Sequence, residues 1–478
     1  ASDRIKENQI EAYENGSNQK GSLATARVIL DEMTDGVDNR ELFVNYLATF
    51  VVAGQSMREV NYYKKICNNI YNRNKGFKVK EKLVVIGNGM SGLRTIEDLL
   101  EINKDKYEIT IYGEEPHVNY NRIMLSYILS QEKTFEETII NHLSWYEENS
   151  ITLNKGDKVV SIDKNSKTIT SQSGKVESYD KLLIATGSNA FIPKTTGSDL
   201  ENVIAFRTKA DVDAIISTIS KDKTAVVVGG GLLGLEAAYG IAMHGIKTIL
   251  VHRSGSILSQ QLDTTGGKLL QKNLEKYGIE FKLNTTISEI TGTSKVENVQ
   301  FSDGTTVESN LVIFATGIIP NTALAVEANL ETKKGIIVDD FLKTSDDSIF
   351  AIGECVEHNG NTYGLVAPLY EQAKVLAKSL AGVKTDGYEG STLSTRLKIS
   401  GVDLFSAGDY LGDETTENLI LLDEKIGIYK KLVIYDNKII GMVLYGDTAD
   451  ASWYLKLLKE HTDISDLRTK ILFGKSAL

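Results

Sequence analysis

The spacing of apolar residues changes along the chain, and each change marks a different kind of structure. Up to Ser22 the sequence is polar; beyond it apolar residues recur at helical spacing, as Val28, Ile29 and Met33, then Leu42, Phe43, Tyr46, Leu47 and Phe50, then Met57, Val60, Tyr63, Cys67 and Ile70. Recurrence every three to four positions predicts three helices within residues 1–78, an N-terminal helical extension with no catalytic motif. Asn72–Lys82, "NRNKGFKVKEK", has the composition of a linker. From Leu83 to about Ala381 short apolar runs alternate with amphipathic stretches. That alternation predicts doubly wound α/β structure with a parallel sheet. From about Thr385 the pattern shortens again: "YKKLVIYDNKIIGMVLYG" reads as two strands joined at "YDNK", and "ASWYLKLLKEH" as a closing helix. This is an α+β arrangement.

Composition narrows the picture by exclusion. Hydrophobic residues at 41% and charged residues at 24% are ordinary for a globular protein of 478 residues, long enough for several cores. A formal net charge of −11 argues against a nucleic-acid or anionic-membrane partner. The apolar run Val44–Ala53 is too short to span a bilayer and follows Asp38, Arg40 and Glu41, so it does not read as a signal peptide. Cys67 and Cys355 are the only cysteines and form no CxxC pair, and the six histidines are scattered. No disulfide framework, iron–sulfur cluster or other metal site is expected within the chain, and the cytoplasm is the expected compartment.

The chemistry is concentrated in two stretches that repeat each other. "VVIGNGMSGLRTIEDLL" (Val84–Leu100) and "VVVGGGLLGLEAAYGI" (Val226–Ile241) are each a strand-like run, a Gly-x-Gly-x-x-Gly and an amphipathic helix. Gly87, Gly89 and Gly92 stand where a tight turn, a close approach to pyrophosphate and helix–strand packing each call for glycine. The helix start then offers unpaired N–H groups to phosphates. The next strand, "YEITIYGEE", ends at Glu114 and Glu115, where a carboxylate can hold ribose hydroxyls; Glu114 is the better candidate, although spacing does not separate the two. The second fingerprint carries Gly229, Gly231 and Gly234, but its following strand, "IKTILVHRS", ends in His252, Arg253 and Ser254. With no carboxylate there, His252 and Arg253 either admit a 2′-phosphate or are solvated loop residues, so NADH and NADPH both remain open.

Two further segments repeat: "YDKLLIATGS", with Ala185, Thr186 and Gly187, and "SNLVIFATGIIPN", with its turn at Gly317. "SIFAIGECVEH" adds a strand ending in Gly353 and Glu354. The expected architecture is α/β, with two Rossmann-like dinucleotide-binding domains, one inserted in the other, a C-terminal α+β domain and the N-terminal helical extension. The expected boundaries are 79–195 and 311–384 for the outer, split dinucleotide-binding domain, 196–310 for the inserted one, and 385–478 for the C-terminal domain. This order resembles that of flavin-dependent pyridine-nucleotide oxidoreductases, which implies FAD on the split domain and NAD(P)H on the inserted one, the two dinucleotides brought together for hydride transfer.

In detail, "GNGMSGLRTIEDLLE", "GEEPHVNYNRIMLS", "GECVEHNGNTYGLVAPLYEQAKVLA", "STRLKISGVDLFSAGD" and "VLYGDTADASWYLKLLK" resemble the flavin module of the large subunit of bacterial NAD(P)H-dependent nitrite reductase, over about residues 80–474. The resemblance implies that Gly353 and Glu354 hold the FAD ribitol and that Asn121 and Arg122 lie along the FAD. It implies that Glu236 faces the nicotinamide amide, and that the helix starting near Pro368 and Leu369 points its positive end at the flavin pyrimidine. Related flavoenzymes use a cysteine beside the flavin; Asn119–Tyr127 contains none, and Cys355 reads as a packed residue. Reduced flavin is therefore expected to pass electrons to a separate iron–sulfur or metal-containing redox protein. The alternatives are an NADH oxidase, diaphorase or rubredoxin reductase acting alone, and a subunit of a larger redox complex or oligomer docked through the N-terminal helices. Nitrite reduction is not expected of residues 1–478 by themselves.

Overall fold

The computed structural model describes residues 80–477 apart from Lys221 and Lys398; the three helices expected within residues 1–78 lie outside the described residues. The first parallel sheet has the order Ile349–Ala351, Lys181–Ile184, Glu81–Ile86, Tyr107–Gly113 and Thr152–Lys155. Its central strand is fully buried from Leu83 to Ile86, as a strand covered on both faces requires. Helix Met90–Asn103 lies on one face and contributes Leu93, Ile96 and Leu99, each at most 1% exposed, at the three-residue spacing of one helix face.

The second sheet repeats the plan: Ile279–Leu283, Lys247–His252, Thr224–Val228, Leu311–Phe314 and Val203–Ala205, all parallel. Each sheet carries a three-stranded antiparallel meander, at Val159–Ser178 in the first lobe and Ile287–Glu308 in the second. Strand Leu311–Phe314 thus belongs to the second lobe, which corrects the boundary expected at residue 310. The reason is structural equivalence. Ala185 N–H bonds to Ile86 O at 2.8 Å and Ala315 N–H to Val228 O at 2.9 Å, so each Ala-Thr-Gly segment closes its own sheet. The chain crosses between the lobes on a two-stranded antiparallel ribbon, Ser188–Ala190 against Ile318–Pro320.

The C-terminal domain is an antiparallel sheet, ordered Ser394–Arg396, Leu404–Gly408, Lys438–Tyr445, Ile428–Tyr435 and Glu417–Asp423, with helix Ala451–Lys459 on one face. Asp436 and Asn437 both have positive φ (47° and 54°) and form the tight hairpin expected at "YDNK". Asp263 seats this domain on the second lobe. It caps helix Thr264–Glu275 through Gly266 N–H (2.9 Å), accepts from the Tyr429 hydroxyl (2.5 Å) and lies 3.5 Å from the buried ammonium of Lys431.

Candidate functional site

Both phosphate loops follow from the same backbone rule. Gly87 and Gly229 have φ of 115° and 121°, a region L side chains rarely adopt, and a Cβ on either would overlap the carbonyl oxygen of Ala185 or Ala315. Gly92 and Gly234 pack their helices against the loop: a Cβ on Gly92 would lie 3.0 Å from Ala185 Cβ, and one on Gly234 would overlap Gly229 O. Gly89 and Gly231 are different. Each precedes its helix with ordinary extended backbone, and a Cβ there would meet nothing within 4 Å. Open space in front of a helix N-terminus, on a loop closed everywhere else, is the shape that admits a pyrophosphate. The residues present therefore fit two dinucleotides.

The strand ends separate the two loops. In the first lobe Glu114 is exposed and paired with Lys158 at 2.9 Å, whereas Glu115 is held by the Tyr120 hydroxyl at 2.7 Å and by the Arg122 guanidinium. Asn121 accepts from Ile123 N–H (3.1 Å) and shapes the short turn that presents Arg122. In the second lobe Arg253 is exposed, while His252 turns inward and accepts Gly230 N–H on Nδ1 at 3.0 Å. Its Nε2 is buried with no partner, and burial, assisted by the charge of Arg253, pushes its pKa down. Of the pair singled out from sequence, only Arg253 presents a charge to solvent.

Glu354 lies at the junction of the lobes. Its carboxylate accepts from Ser188 Oγ at 2.7 Å and pairs with Arg207, whose Nη2 also bonds Ser188 Oγ at 2.9 Å. Arg122 Nη1 reaches Arg207 O at 3.4 Å, so the guanidinium beside Glu115 and the one beside Glu354 belong to one network. Gly353, with φ of 93°, gives its N–H to Gln372 Oε1 at 3.2 Å; a Cβ there would lie 2.5 Å from Ser91 Oγ. Gln372 sits on helix Val366–Ala381, whose first turn buries Pro368 and Leu369. Thr186 and Gly187 are tied to Asn321 by three hydrogen bonds of 2.9–3.0 Å, and Gly317, with φ of 118°, opens on free space. Sequence reasoning missed Arg207, Ser188 and Gln372. Only the first had a local signal, since Arg207 immediately precedes the Thr208/Asp211 capping box of helix Lys209–Thr218.

Glu236 is 5% exposed on helix Leu232–Ala242. Burial, with the charges of Glu132 and Glu236, raises the pKa of Tyr127, on the first-lobe segment after Arg122. That segment packs on the second-lobe helix, where a Cβ on Gly240 would lie 2.8 Å from Leu129 Cγ. Cys355 is fully buried, its Sγ 3.2 Å from Ile352 O, and burial holds its thiol protonated. Among the described residues there is no group of three or more His, Cys, Asp or Glu side chains able to hold a metal ion, and no helix long and apolar enough to cross a membrane.

The sequence profile of the pyridine nucleotide-disulphide oxidoreductase family matches residues 81–376, and that of the rubredoxin NAD+ reductase C-terminal domain matches residues 394–462. Over 387 residues the chain is 46% identical to a nitrite reductase (NAD(P)H) of Bacillus subtilis (strain 168), covering 81% of this chain and 48% of that protein. Over 393 residues it is 42% identical to the assimilatory nitrate reductase electron transfer subunit of the same organism, covering 82% and 51%. The chain thus spans about half the length of these curated relatives. The solved structure of NADH:rubredoxin oxidoreductase from Clostridium acetobutylicum superimposes with a TM-score of 0.66 at 26% identity, covering 83% of this chain and 98% of that one.

Proposed function

Because the chain belongs to the pyridine nucleotide-disulphide oxidoreductase family, and so is an FAD-dependent oxidoreductase using NAD(P)H, we propose that it is an electron-input module. In this reading the first loop holds FAD, the second holds NAD(P)H, and electrons leave for a separate iron–sulfur or metal-containing protein. FAD, when bound, would supply the redox chemistry that the protein's own side chains cannot, taking one hydride (two electrons) from NAD(P)H and passing the electrons on one at a time. The chain's residues bind and orient. The helix start after Gly89 receives the FAD pyrophosphate, and Glu114 takes the adenosine ribose. Glu115, Asn121 and Arg122 line the path from there toward the junction. Glu354, fixed by Arg207 and Ser188, receives the ribitol hydroxyls. The turns at Ala185–Gly187 and Gly317 bring backbone against the dinucleotides, and the helix start at Pro368 and Leu369 offers its positive end to the pyrimidine side. Gly231 and Arg253 receive the pyridine nucleotide, and Glu236 orients the nicotinamide amide.

The single observation behind this reading is the pairing of two open phosphate loops with a thiol sealed from both: Cys355 is 0% exposed. Among the described residues no exposed thiol is available for an internal disulfide relay, which supports an external acceptor. Residues 394–462, whose relatives are C-terminal domains of rubredoxin NAD+ reductases, are the proposed acceptor-facing surface. A cytoplasmic setting suits a chain with so few cysteines. Likeness to an electron transfer subunit favours a second reading, in which the chain works inside a larger assembly. Purified FAD-loaded protein should oxidise NAD(P)H with ferricyanide or a rubredoxin as acceptor and should not reduce nitrite. Nitrite turnover by this chain alone would refute the external-acceptor reading.

A further inference from the structure

In the two loops, the same space is filled from opposite sides. Gly87 N–H bonds Tyr112 O at 2.8 Å and Gly229 N–H bonds Val251 O at 2.9 Å, so Gly113 in the first lobe is the counterpart of His252 in the second, and Asn88 of Gly230. In the first lobe the loop residue is large and the strand end small: a Cβ on Gly113 would lie 2.9 Å from Asn88 Cβ. In the second the sizes are exchanged, and a Cβ on Gly230 would lie 2.7 Å from His252 Cγ. Asn88 is pinned by the Tyr146 hydroxyl at 2.9 Å and by its own bond to His117 O at 3.2 Å, none of which titrates near neutrality. In the second loop the imidazole is what holds Gly230 N–H, at 3.0 Å, while Leu258 N–H bonds Gly230 O on the other side.

We propose that His252 is a positioning residue for the second phosphate loop, and that protonating it loosens the loop and weakens pyridine-nucleotide binding. The proposal rests on the reading that this loop binds the pyridine nucleotide. Neutral imidazole accepts Gly230 N–H on Nδ1; the protonated ring carries N–H on both nitrogens and turns that contact into donor against donor. Gly230 lies between the two glycines that shape the cradle, so losing its anchor disorders the N–H groups that meet the pyrophosphate. The one charge acting on the ring is its neighbour Arg253. Of the other elements against it, the loop Gly229–Gly231 has no charged side chain. The Ser254–Leu258 turn has none either and places Leu258 N–H on Gly230 O at 2.8 Å. The adjoining strand Ile279–Leu283 carries Glu280 and Lys282, paired with Lys247 at 3.9 Å and Asp303 at 3.1 Å. Burial first, and the charge of Arg253 after it, favour the neutral ring, so the loop stays closed through neutral pH and opens only as pH falls below the ordinary imidazole range.

The test is calorimetric titration of the FAD-loaded full chain with NAD+, which has no 2′-phosphate of its own to titrate, between pH 8 and pH 5. Wild type should bind progressively more weakly as pH falls, the loss approaching about tenfold, the cost of about one hydrogen bond, as the imidazole becomes protonated. His252→Asn keeps an acceptor that does not titrate, and Gly230→Asn with His252→Gly rebuilds the first-lobe arrangement. Each should bind NAD+ with an affinity that changes by less than about twofold over that range. FAD content and circular dichroism identify folded variants; with two independent designs, one misfolded variant leaves the other to decide. A flat wild-type profile, or a tenfold pH effect surviving in either folded variant, overturns the proposal. Gly231→Val separates the premise: if that variant still binds NAD+, the site assignment itself fails, whereas lost binding with unchanged pH behaviour in the His252 variants sinks only the positioning role.

Discussion

The two lobes share a backbone device and differ in the side chains set around it. Gly87 and Gly229 crowd equivalent alanine carbonyls, Gly92 and Gly234 seat equivalent helices, and Gly89 and Gly231 face equivalent open space. The strand ends share nothing: Gly113, Glu114 and Glu115 in one, His252, Arg253 and Ser254 in the other. The lesson is a division of labour. Under the proposed reading, phosphate recognition comes from backbone N–H groups and needs only glycine geometry, so the two loops can share it. On the same reading, discrimination between dinucleotides comes from strand-end side chains such as Glu114 and Arg253, which are free to diverge because, unlike His252, they do not hold the cradle itself.

The largest effects should come from the open glycines. Gly89→Val and Gly231→Val place a side chain where the protein itself has no atom within 4 Å, at φ of −94° and −87°. Both chains should fold, with stability within about 0.5 kcal/mol of wild type by urea denaturation. Gly89→Val should lose FAD; Gly231→Val should keep FAD and lose its reduction by NAD(P)H. Full FAD occupancy in the first variant would break the comparison at its root.

Next come the closed glycines. Gly87→Ala or Gly229→Ala forces positive φ on an L residue and drives a methyl into a carbonyl oxygen, costing about 3 kcal/mol or more. The two losses, read as shifts of the denaturation midpoint, should match each other. Unequal losses would show that the lobes are less alike than their backbones. A smaller effect is expected at Arg253→Ala. Removing one charge-assisted contact should weaken NADPH relative to NADH by about tenfold, read as the ratio of kcat/KM values. An unchanged ratio would make Arg253 a surface residue. The smallest change belongs to Cys355→Ala, which should leave turnover unaltered while costing about 1 kcal/mol of stability, because the thiol is fully buried.

Much of the fold was legible because two periodicities, each tied to a glycine fingerprint, leave few alternatives. The hairpin at Asp436–Asn437 and the closing helix were local signals and fell where expected. The boundary at residue 310 was misplaced because a buried strand such as Leu311–Phe314 reads the same in either sheet; only its pairing with Thr224–Val228 decides. The junction was less legible still. Arg207 meets Glu354 across 147 positions, a pairing that no local pattern encodes. Spacing could not part Glu114 from Glu115, but partners do: one pairs with Lys158 at the surface, the other is locked by Tyr120 and Arg122. At His252 the sequence left two readings, a 2′-phosphate contact or a solvated loop residue, and could not show that the missing side chain at Gly230 leaves room for the ring to turn inward.

The central claim is that the two loops hold two dinucleotides in series and that the acceptor lies outside the chain. Anaerobic mixing of the FAD-loaded protein with NADH or NADPH tests this most directly, followed by addition of an oxidised rubredoxin. The account predicts that the flavin absorbance bleaches on the first addition, does so in Cys355→Ala as in wild type, fails to do so in Gly231→Val, and returns on the second addition. Bleaching that persists in Gly231→Val, or that requires Cys355, would contradict it.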